Sequence, residues 1–470
     1  MIAFIDKMRG PIALLAAMVA EKACYLAGIL IISRLLSISD FGVYSFALYA
    51  GFTVATLAEF GFQPIITRDI VAVPERRREL LGVALLLKIP LALACVAIIG
   101  LMILFGEFEY EQAQLLWIIG LSQIAVTVSQ LGNAVFRATQ RLELESLSSF
   151  VRGALYLAAS AGTLLAGFPL IWAAWAIFAA SVASMAITLI LATLVIRPAW
   201  PEHIKSDIWY LLAQAWPMGC SIIATSVFST LSVIVLRLLM DDASVGWYNS
   251  AHSLASHIGF IPEVVTAALL PAMVVALQRN TTDKQPLTEM VLVMLGFALP
   301  IALGATLLAP QILSLIFGAK FAPAAPTLIW LMWTTPFSFV NVAYLLFLST
   351  RKRQHVWLVL VLIGIALSAL SLRILIPMFG SQGAAQARLA GEVGVWLIGS
   401  WMVRKALNYT RLVASIGRIG FALAGLFVVV WISHSAPVII SIGLGAAIYA
   451  ILVATLGPWP VAVWRSVLSR

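Results

Sequence analysis

Ile32 to Val71 reads ISRLLSISDFGVYSFALYAGFTVATLAEFGFQPIITRDIV, and Val235 to Val274 reads VLRLLMDDASVGWYNSAHSLASHIGFIPEVVTAALLPAMV. Both stretches are apolar except at a few spaced positions, and those positions correspond. Arg34-Leu35-Leu36 answers to Arg237-Leu238-Leu239, Gly42 and Tyr44 to Gly246 and Tyr248, and Glu59 to Glu263. The arginines are 203 residues apart and the later pairs 204, as if one residue had been inserted between them. A shared polar pattern on two apolar segments points to internal duplication, and the rest of the chain is placed around this pair.

Composition sets the solvent. With 62% hydrophobic and 10% charged residues and a mean hydropathy of +1.03, the 470-residue chain has too little polar surface to cover a soluble globule. Its charges cluster and leave apolar runs of about 20 residues, the length that crosses roughly 30 Å of hydrocarbon as a helix. The short alternating strands of a membrane barrel are missing. A net charge of +9 could suggest nucleic acid, but no extramembrane stretch is long enough to read it, so nucleic acid is not expected as a partner. Cys24, Cys95 and Cys220 lie inside apolar runs without metal-ligand spacing and read as packing residues. Lys7 and Arg9 before an apolar run mimic a signal peptide, but Glu21 and Lys22 interrupt that run, so it reads as the first spanning helix.

Taken in order, the apolar runs predict six helices near Pro11–Leu36, Phe41–Thr67, Leu80–Phe105, Leu115–Phe136, Leu147–Ala166 and Leu170–Ile196. Six more follow near Trp209–Met240, Val245–Leu277, Met290–Phe317, Thr327–Thr350, Val356–Met378 and Gly383–Val403, and then Ile419–Ser433 and Pro437–Gly457. The expected fold is an all-α polytopic membrane protein of about 14 transmembrane helices. It divides into an N-terminal six-helix lobe (1–200), a C-terminal six-helix lobe (201–408) and two additional helices (409–470). Further echoes, Phe105-Gly106 with Phe317-Gly318, Leu116-Trp117 with Ile329-Trp330 and Phe136 to Thr139 with Phe347 to Thr350, extend the repeat. An even number of helices per lobe makes the repeats parallel.

Basic residues gather in alternate loops, as the positive-inside rule requires of a cytoplasmic face. These are Arg68 to Arg78, Arg137 and Arg141, Arg197 to Lys205, Arg279 to Lys284, Arg351 to Arg353 and Arg404 to Arg418, with Lys7, Arg9, Arg465 and Arg470 on the same side. Asp40, Glu107, Glu109, Glu111, Asp241 and Asp242 fall on the other face, with Lys320. Both termini are therefore expected in the cytoplasm. Pro90, Pro217, Pro262, Pro271, Pro300 and Pro336 lie in or near apolar runs and mark either bends for packing or kinks around a cavity.

An ionisable side chain in the bilayer asks for a partner, a cavity or an interface. Glu21, Lys22, Glu59, Lys88, Glu263 and Glu392 lie within runs; Arg34, Arg237, Arg373 and Arg388 lie nearer their outer ends. Asn249, His252, Ser253, Ser256, Gly259 and Glu263 follow spacings of three and four, a polar face suited to a wet cavity or to interhelical hydrogen bonds. His252 and His257 could handle protons or simply bond between helices. The loops hold no phosphate-binding glycine loop, zinc spacing or nucleophile motif, so no enzyme is expected and transport outranks chemistry.

SRLLSISDFGVYS (33–45), AEFGFQPIITRDI (58–70), Glu21-Lys22, VGWYNSAHSL (245–254) and IPEVVTAALLP (261–271) together resemble the polysaccharide-repeat (O-antigen/exopolysaccharide, Wzx-type) flippases of the multidrug/oligosaccharidyl-lipid/polysaccharide exporter superfamily. The resemblance covers about the first twelve helices. It implies two six-helix bundles around a cavity in alternating access, in the bacterial cell inner membrane. The implied cargo is an undecaprenyl-pyrophosphate-linked oligosaccharide, moved for O-antigen (lipopolysaccharide), capsule or exopolysaccharide assembly. Implied partners are that lipid-linked oligosaccharide, membrane lipids, and the polysaccharide polymerase and chain-length machinery. Relatives often carry an aspartate in the seventh helix; here Ser232-Val233-Ile234 precede Arg237, and coupling through such a carboxylate does not carry over.

Pyrophosphate calls for cations along its path, and Lys22, Arg34, Lys88, Arg237, Arg373 and Arg388 are the substrate-binding candidates. Lys22 beside Glu21 could instead belong to an ion pair. Glu21, Glu59, Asn249, His252, Ser256 and Glu263 are the polar and coupling candidates. No cofactor is expected beyond a coupling proton or sodium ion. Rival readings are a lipid II flippase, a multidrug or cation antiporter of the same superfamily, and a non-transporting membrane scaffold. The loop charges yield a direct test: reporter fusions after Glu109 and Asp242 are expected to be active outside the cytoplasmic membrane, and fusions after Arg78 and Arg353 inside it. Reversal at two of the four sites overturns the orientation.

Overall fold

The computed structural model describes residues 2–266, 284–351, 353–433 and 436–456. Pro271, Arg279, Lys352, Arg465, Arg470 and the last residues of the second echo (267–274) lie outside them, as do the side chains of Lys7 and Arg9. The described residues are helical, with no strand among them. Two compact units are formed, Met1–Arg237 and Leu238–Arg470.

The first unit holds α1 (Ile2–Leu35), α2 (Ile38–Glu59), α3 (Phe62–Ala72), α4 (Arg77–Phe105), α5 (Tyr110–Ala138), α6 (Leu142–Leu165), α7 (Leu170–Val195) and α8 (Ile204–Leu239). Its densest packing joins α1 to α6, α5 to α7 and α2 to α5. A core of Phe62, Ile66, Leu81, Leu131, Phe136 and Leu211 ties the ends of these helices together. The expected single helix Phe41–Thr67 is broken: Phe60 (φ 44) and Gly61 (φ 73) are left-handed and separate α2 from α3. Hydropathy does not register the break because the surrounding residues stay apolar. Pro64 falls in the first turn of α3, where its missing N–H breaks no helical bond. α8 starts five residues before the expected Trp209 and packs by contact with the first unit.

The second unit holds α9 (Asp242–Ile258), α10 (Gln285–Ile316), α11 (Ala325–Thr350), α12 (Gln354–Val403), α13 (Tyr409–Ile432) and α14 (Val438–Leu456). α10 packs on α11 and α11 on α12, while α13 and α14 pair and lie along α10. α12 is one run only by hydrogen bonding. At Gly380 (φ 56, ψ −131) the chain folds back, so that a Cβ on Gly383 would collide with the Leu375 carbonyl. Ser368 donates to the Ala387 carbonyl at 3.1 Å, and a Cβ on Gly394 would meet Leu367. The expected helices Val356–Met378 and Gly383–Val403 are thus two antiparallel arms of one hairpin, without an intervening loop.

Among the described residues, 11 helical segments are long and apolar enough to cross a membrane, which makes the chain a multi-pass membrane protein. The two arms of α12 enter that set as one run, and α6, with its serines and Arg152, is too polar to enter it.

Within each unit the opening echo is matched by local geometry. Ser37 caps α2 by accepting from the Asp40 N–H at 3.1 Å, and Asp241 caps α9 by accepting from the Ser244 N–H at 3.1 Å. The two caps are 204 residues apart, like the glycines and tyrosines that follow. Tyr44 (1% exposed) and Tyr248 (0%) are both core residues of their units.

The break between α2 and α3 depends on two glycines. A Cβ on Gly61 would lie 2.8 Å from the Gly219 nitrogen, and one on Gly219 would lie 2.8 Å from the Phe60 carbonyl oxygen. Backbone therefore meets backbone where α8 crosses the bend. Gly61→Ala adds a left-handed strain of about 1–3 kcal/mol to this clash. It is expected to lower the melting temperature of the purified protein by several degrees, whereas Gly162→Ala, with open space around its Cβ, leaves it nearly unchanged.

Candidate functional site

The intramembrane charges are the candidate machinery, and their geometry is best built from the break at residues 59–62. Ending α2 frees carbonyls that have no partner in the next turn, and starting α3 frees N–H groups. Lys88, on α4 and 3% exposed, donates to the Ala58 carbonyl at 2.7 Å and to Glu59 Oε2 at 3.2 Å. Glu59 Oε1 accepts from the Gln63 N–H at 3.2 Å. An ammonium thus stands at the C-terminus of α2 and a carboxylate at the N-terminus of α3, the favourable sign for each helix dipole. The Lys88 ammonium also lies 5.9 Å from the Phe62 ring centre. Two residues that the sequence suggested for different tasks, Lys88 for cargo and Glu59 for coupling, are brought together as one ion pair.

Glu21 has its partner on α6. Arg152 donates through Nε to Glu21 Oε1 at 2.7 Å, and its other nitrogens reach Ser129 Oγ (3.3 Å) and Ser149 Oγ (3.5 Å). The α1–α6 contact closes because a Cβ on Gly153 would sit 2.9 Å from the Glu21 Cα. Glu21 and Lys22 are adjacent on α1 and do not face each other; Lys22 is half-buried. Arg152 is the residue that sequence reasoning missed. It stood inside the expected helix Leu147–Ala166 with Ser148 and Ser149 before it, a signal that was available.

Arg237 is half-buried and donates to Gln112 Oε1 at 2.9 Å, while Arg34 is exposed. In the second unit Arg388 donates to Glu392 Oε1 at 3.0 Å, and the Asn341 amide donates to Glu392 Oε2 at 2.8 Å and to the Glu392 carbonyl at 3.1 Å. Arg373 is exposed. The polar face of α9 divides: Asn249 and Ser253 are buried, His252 is half-buried and stacks on Tyr248 at 5.6 Å, and Ser256 is exposed. Glu263 is exposed beyond the turn at Gly259. His252 lies within electrostatic reach of Arg388 and His257. His257 Nδ1 is 2.6 Å from the Ser253 carbonyl oxygen.

The fold has counterparts among known proteins. The family model described as polysaccharide biosynthesis protein matches residues 8–278. Among curated proteins, none matches the chain by sequence. Solved structures share the fold at low identity. A lipid II flippase, MurJ, in an inward closed conformation has a TM-score of 0.77 at 14% identity, over 98% of this chain and 100% of its own. An inward-facing multidrug resistance MATE family transporter of the MOP superfamily has a TM-score of 0.65 at 15% identity, over 86% and 99%. A MOP superfamily transporter from Pyrococcus furiosus has a TM-score of 0.54 at 16% identity, over 86% and 94%.

Removing one partner of a buried pair leaves an uncompensated charge, a loss of about 3–5 kcal/mol, whereas removing both leaves none. Lys88→Met is therefore expected to destabilise the purified protein more than the double variant Lys88→Met/Glu59→Gln does. Denaturation of wild type, both single variants and the double variant in one detergent checks this. Additive losses would show that the two side chains do not interact.

Proposed function

The chain belongs to the polysaccharide biosynthesis protein family, and from that premise we propose that it is a flippase moving undecaprenyl-pyrophosphate-linked oligosaccharide repeat units across the bacterial inner membrane. The product serves O-antigen, capsule or exopolysaccharide assembly, downstream polymerase and chain-length machinery are the natural partners, and both termini face the cytoplasm. The family match over residues 8–278 is the observation that carries this reading; the transporter fold of the relatives supports it. We count about fourteen spans, by taking the arms of α12 separately and adding α6 and the α9 region, and arrange the first twelve as two parallel repeats with lobes at 1–200 and 201–408.

A diphosphate-bearing sugar crosses hydrocarbon only through a wet passage with cations for the phosphates, while its lipid tail stays in the bilayer. Arg34, Arg237, Lys22 and Arg373 serve as such cations. Lys88 and Arg388 serve only by exchanging a carboxylate partner for phosphate. Translocation proceeds by alternating access, driven by a proton or sodium ion that binds the two conformations differently. The carboxylates Glu59 and Glu263 are the carriers we assign, with Glu21, Asn249, His252 and Ser256 as polar support.

The second reading, a lipid II flippase, draws on the likeness to MurJ, whose TM-score is 0.77. Both cargoes contain a polyprenyl pyrophosphate, so the pathway chemistry is the same and the sugar decides. Deleting the gene is expected to abolish long-chain surface polysaccharide and to accumulate its lipid-linked repeat unit, with the peptidoglycan precursor pool intact. Accumulation of lipid II instead would establish the second reading. Unchanged pools of both, with increased sensitivity to organic cations, would favour a multidrug antiporter.

A further inference from the structure

α8 is 36 residues long and apolar enough to cross a membrane. One side of it is sealed: Leu211 and Ala215 are 0% exposed in the core of the first unit. A neighbouring side is not. Tyr210, Gln214, Pro217, Ser221 and Thr225 follow spacings of four, three, four and four and form one polar stripe along the helix. Tyr210, Gln214 and Thr225 are exposed and Ser221 is partly so. Exposed polar groups at regular helical spacing in a spanning segment are not expected to face lipid.

Two hydroxyls of the stripe keep hydrogen-bonding capacity. Ser221 Oγ donates to the Pro217 carbonyl (3.1 Å) and Thr225 Oγ1 to the Ser221 carbonyl (2.8 Å), which leaves both hydroxyl oxygens free to accept. Pro217 has no N–H to give to the Ala213 carbonyl, one turn below it. At the cytoplasmic foot of the stripe stands Arg68 of α3, with half its side-chain surface exposed. Asp69 Oδ1 holds the Arg68 Nε at 2.7 Å. Nη1 and Nη2 share the single oxygen Gln214 Oε1, each at a long 3.4 Å, with Tyr210 also within reach. A guanidinium fixed at Nε and loosely held at both Nη atoms is set to exchange its amide partner for a bidentate phosphate.

We propose that Arg68 and the α8 stripe Tyr210–Gln214–Ser221–Thr225 bind the headgroup of the lipid-linked cargo on the cytoplasmic side, Arg68 taking the phosphate and the stripe the sugar hydroxyls. This site lies wholly within Met1–Arg237, involves none of the intramembrane charges discussed above, and rests on the flippase reading.

The test uses the full-length protein in phosphatidylcholine nanodiscs with undecaprenyl pyrophosphate as the probe and undecaprenol as the phosphate-free control. Arg68→Gln is expected to weaken binding of the pyrophosphate about tenfold, and Arg68→Lys to retain part of it, with undecaprenol binding unchanged in both. If the wild type prefers the pyrophosphate and Arg68→Gln binds it within about twofold of wild type, the site is wrong while the flippase reading stands. If the wild type does not distinguish pyrophosphate from undecaprenol, the flippase reading fails and the site with it. Because Arg68 variants can be unstable, a second measurement is independent of them. In a chain with Cys24, Cys95 and Cys220 replaced by serine, Thr225→Cys is expected to react with a membrane-impermeant maleimide. Leu93→Cys, on an apolar position that is 62% exposed, is not. Equal inertness of the two thiols places the stripe against lipid and overturns the proposal.

Discussion

The first unit depends on the pairing of Lys88 with Glu59 at a broken helix. Breaking α2 from α3 inside the bilayer strands carbonyl and N–H groups, and each unsatisfied one costs several kcal/mol in hydrocarbon. One ammonium and one carboxylate answer both needs at once, since Lys88 takes up the Ala58 carbonyl and Glu59 takes up the Gln63 N–H. The same bend lets Gly61 meet Gly219 at backbone distance. It thereby sets the course of α8 against α3 and, with it, the place where Arg68 meets Gln214. Neither the glycine crossing nor the Arg68–Gln214 contact would exist on an unbroken helix.

The other buried charges obey the same rule with different partners. Glu21 is met by Arg152, whose other nitrogens reach serines of α5 and α6, and Glu392 is met by Arg388 and Asn341. A cation committed to a buried carboxylate holds helices together and is poorly placed to take a phosphate. Arg68, at the surface of the bundle, commits only its Nε to Asp69, and its Nη end, held loosely by a neutral amide, is better placed. Burial and partner chemistry therefore separate Lys88 from Arg68, although both are basic residues of the same unit.

Much of this was legible in the sequence. Runs of about 20 apolar residues find helices because the bilayer imposes that length, and the hairpin of α12 falls where Gly380 and Gly383 interrupt one long run. The echo around Arg34 and Arg237 located Tyr44 and Tyr248, while the caps at Ser37 and Asp241 emerged only in the structure. Pairings across the sequence were not legible. Glu59 and Lys88 are 29 residues apart, and periodicity says which residues share a face but not what covers that face. On α9 it grouped Asn249 with Ser256, one of them buried and the other exposed. On α8 the polar stripe went unread because Pro217 sits within it and the apolar residues between its members dominate any local average. Gly61 followed by Pro64 was a readable sign of a helix break, masked by unbroken hydropathy.

The Glu21–Arg152 pair has a consequence for how the chain is made. Its members are 131 residues apart, and a ribosome adding about 5–20 residues per second needs on the order of ten seconds to deliver the second after the first. Throughout that interval α1 carries an acidic side chain whose arginine has not yet been synthesised, at a depth where a lone charge costs at least a few kcal/mol. Releasing the first helix into lipid as an independent segment carries that cost until α6 arrives, which favours assembly of the N-terminal bundle as a group at the translocation site.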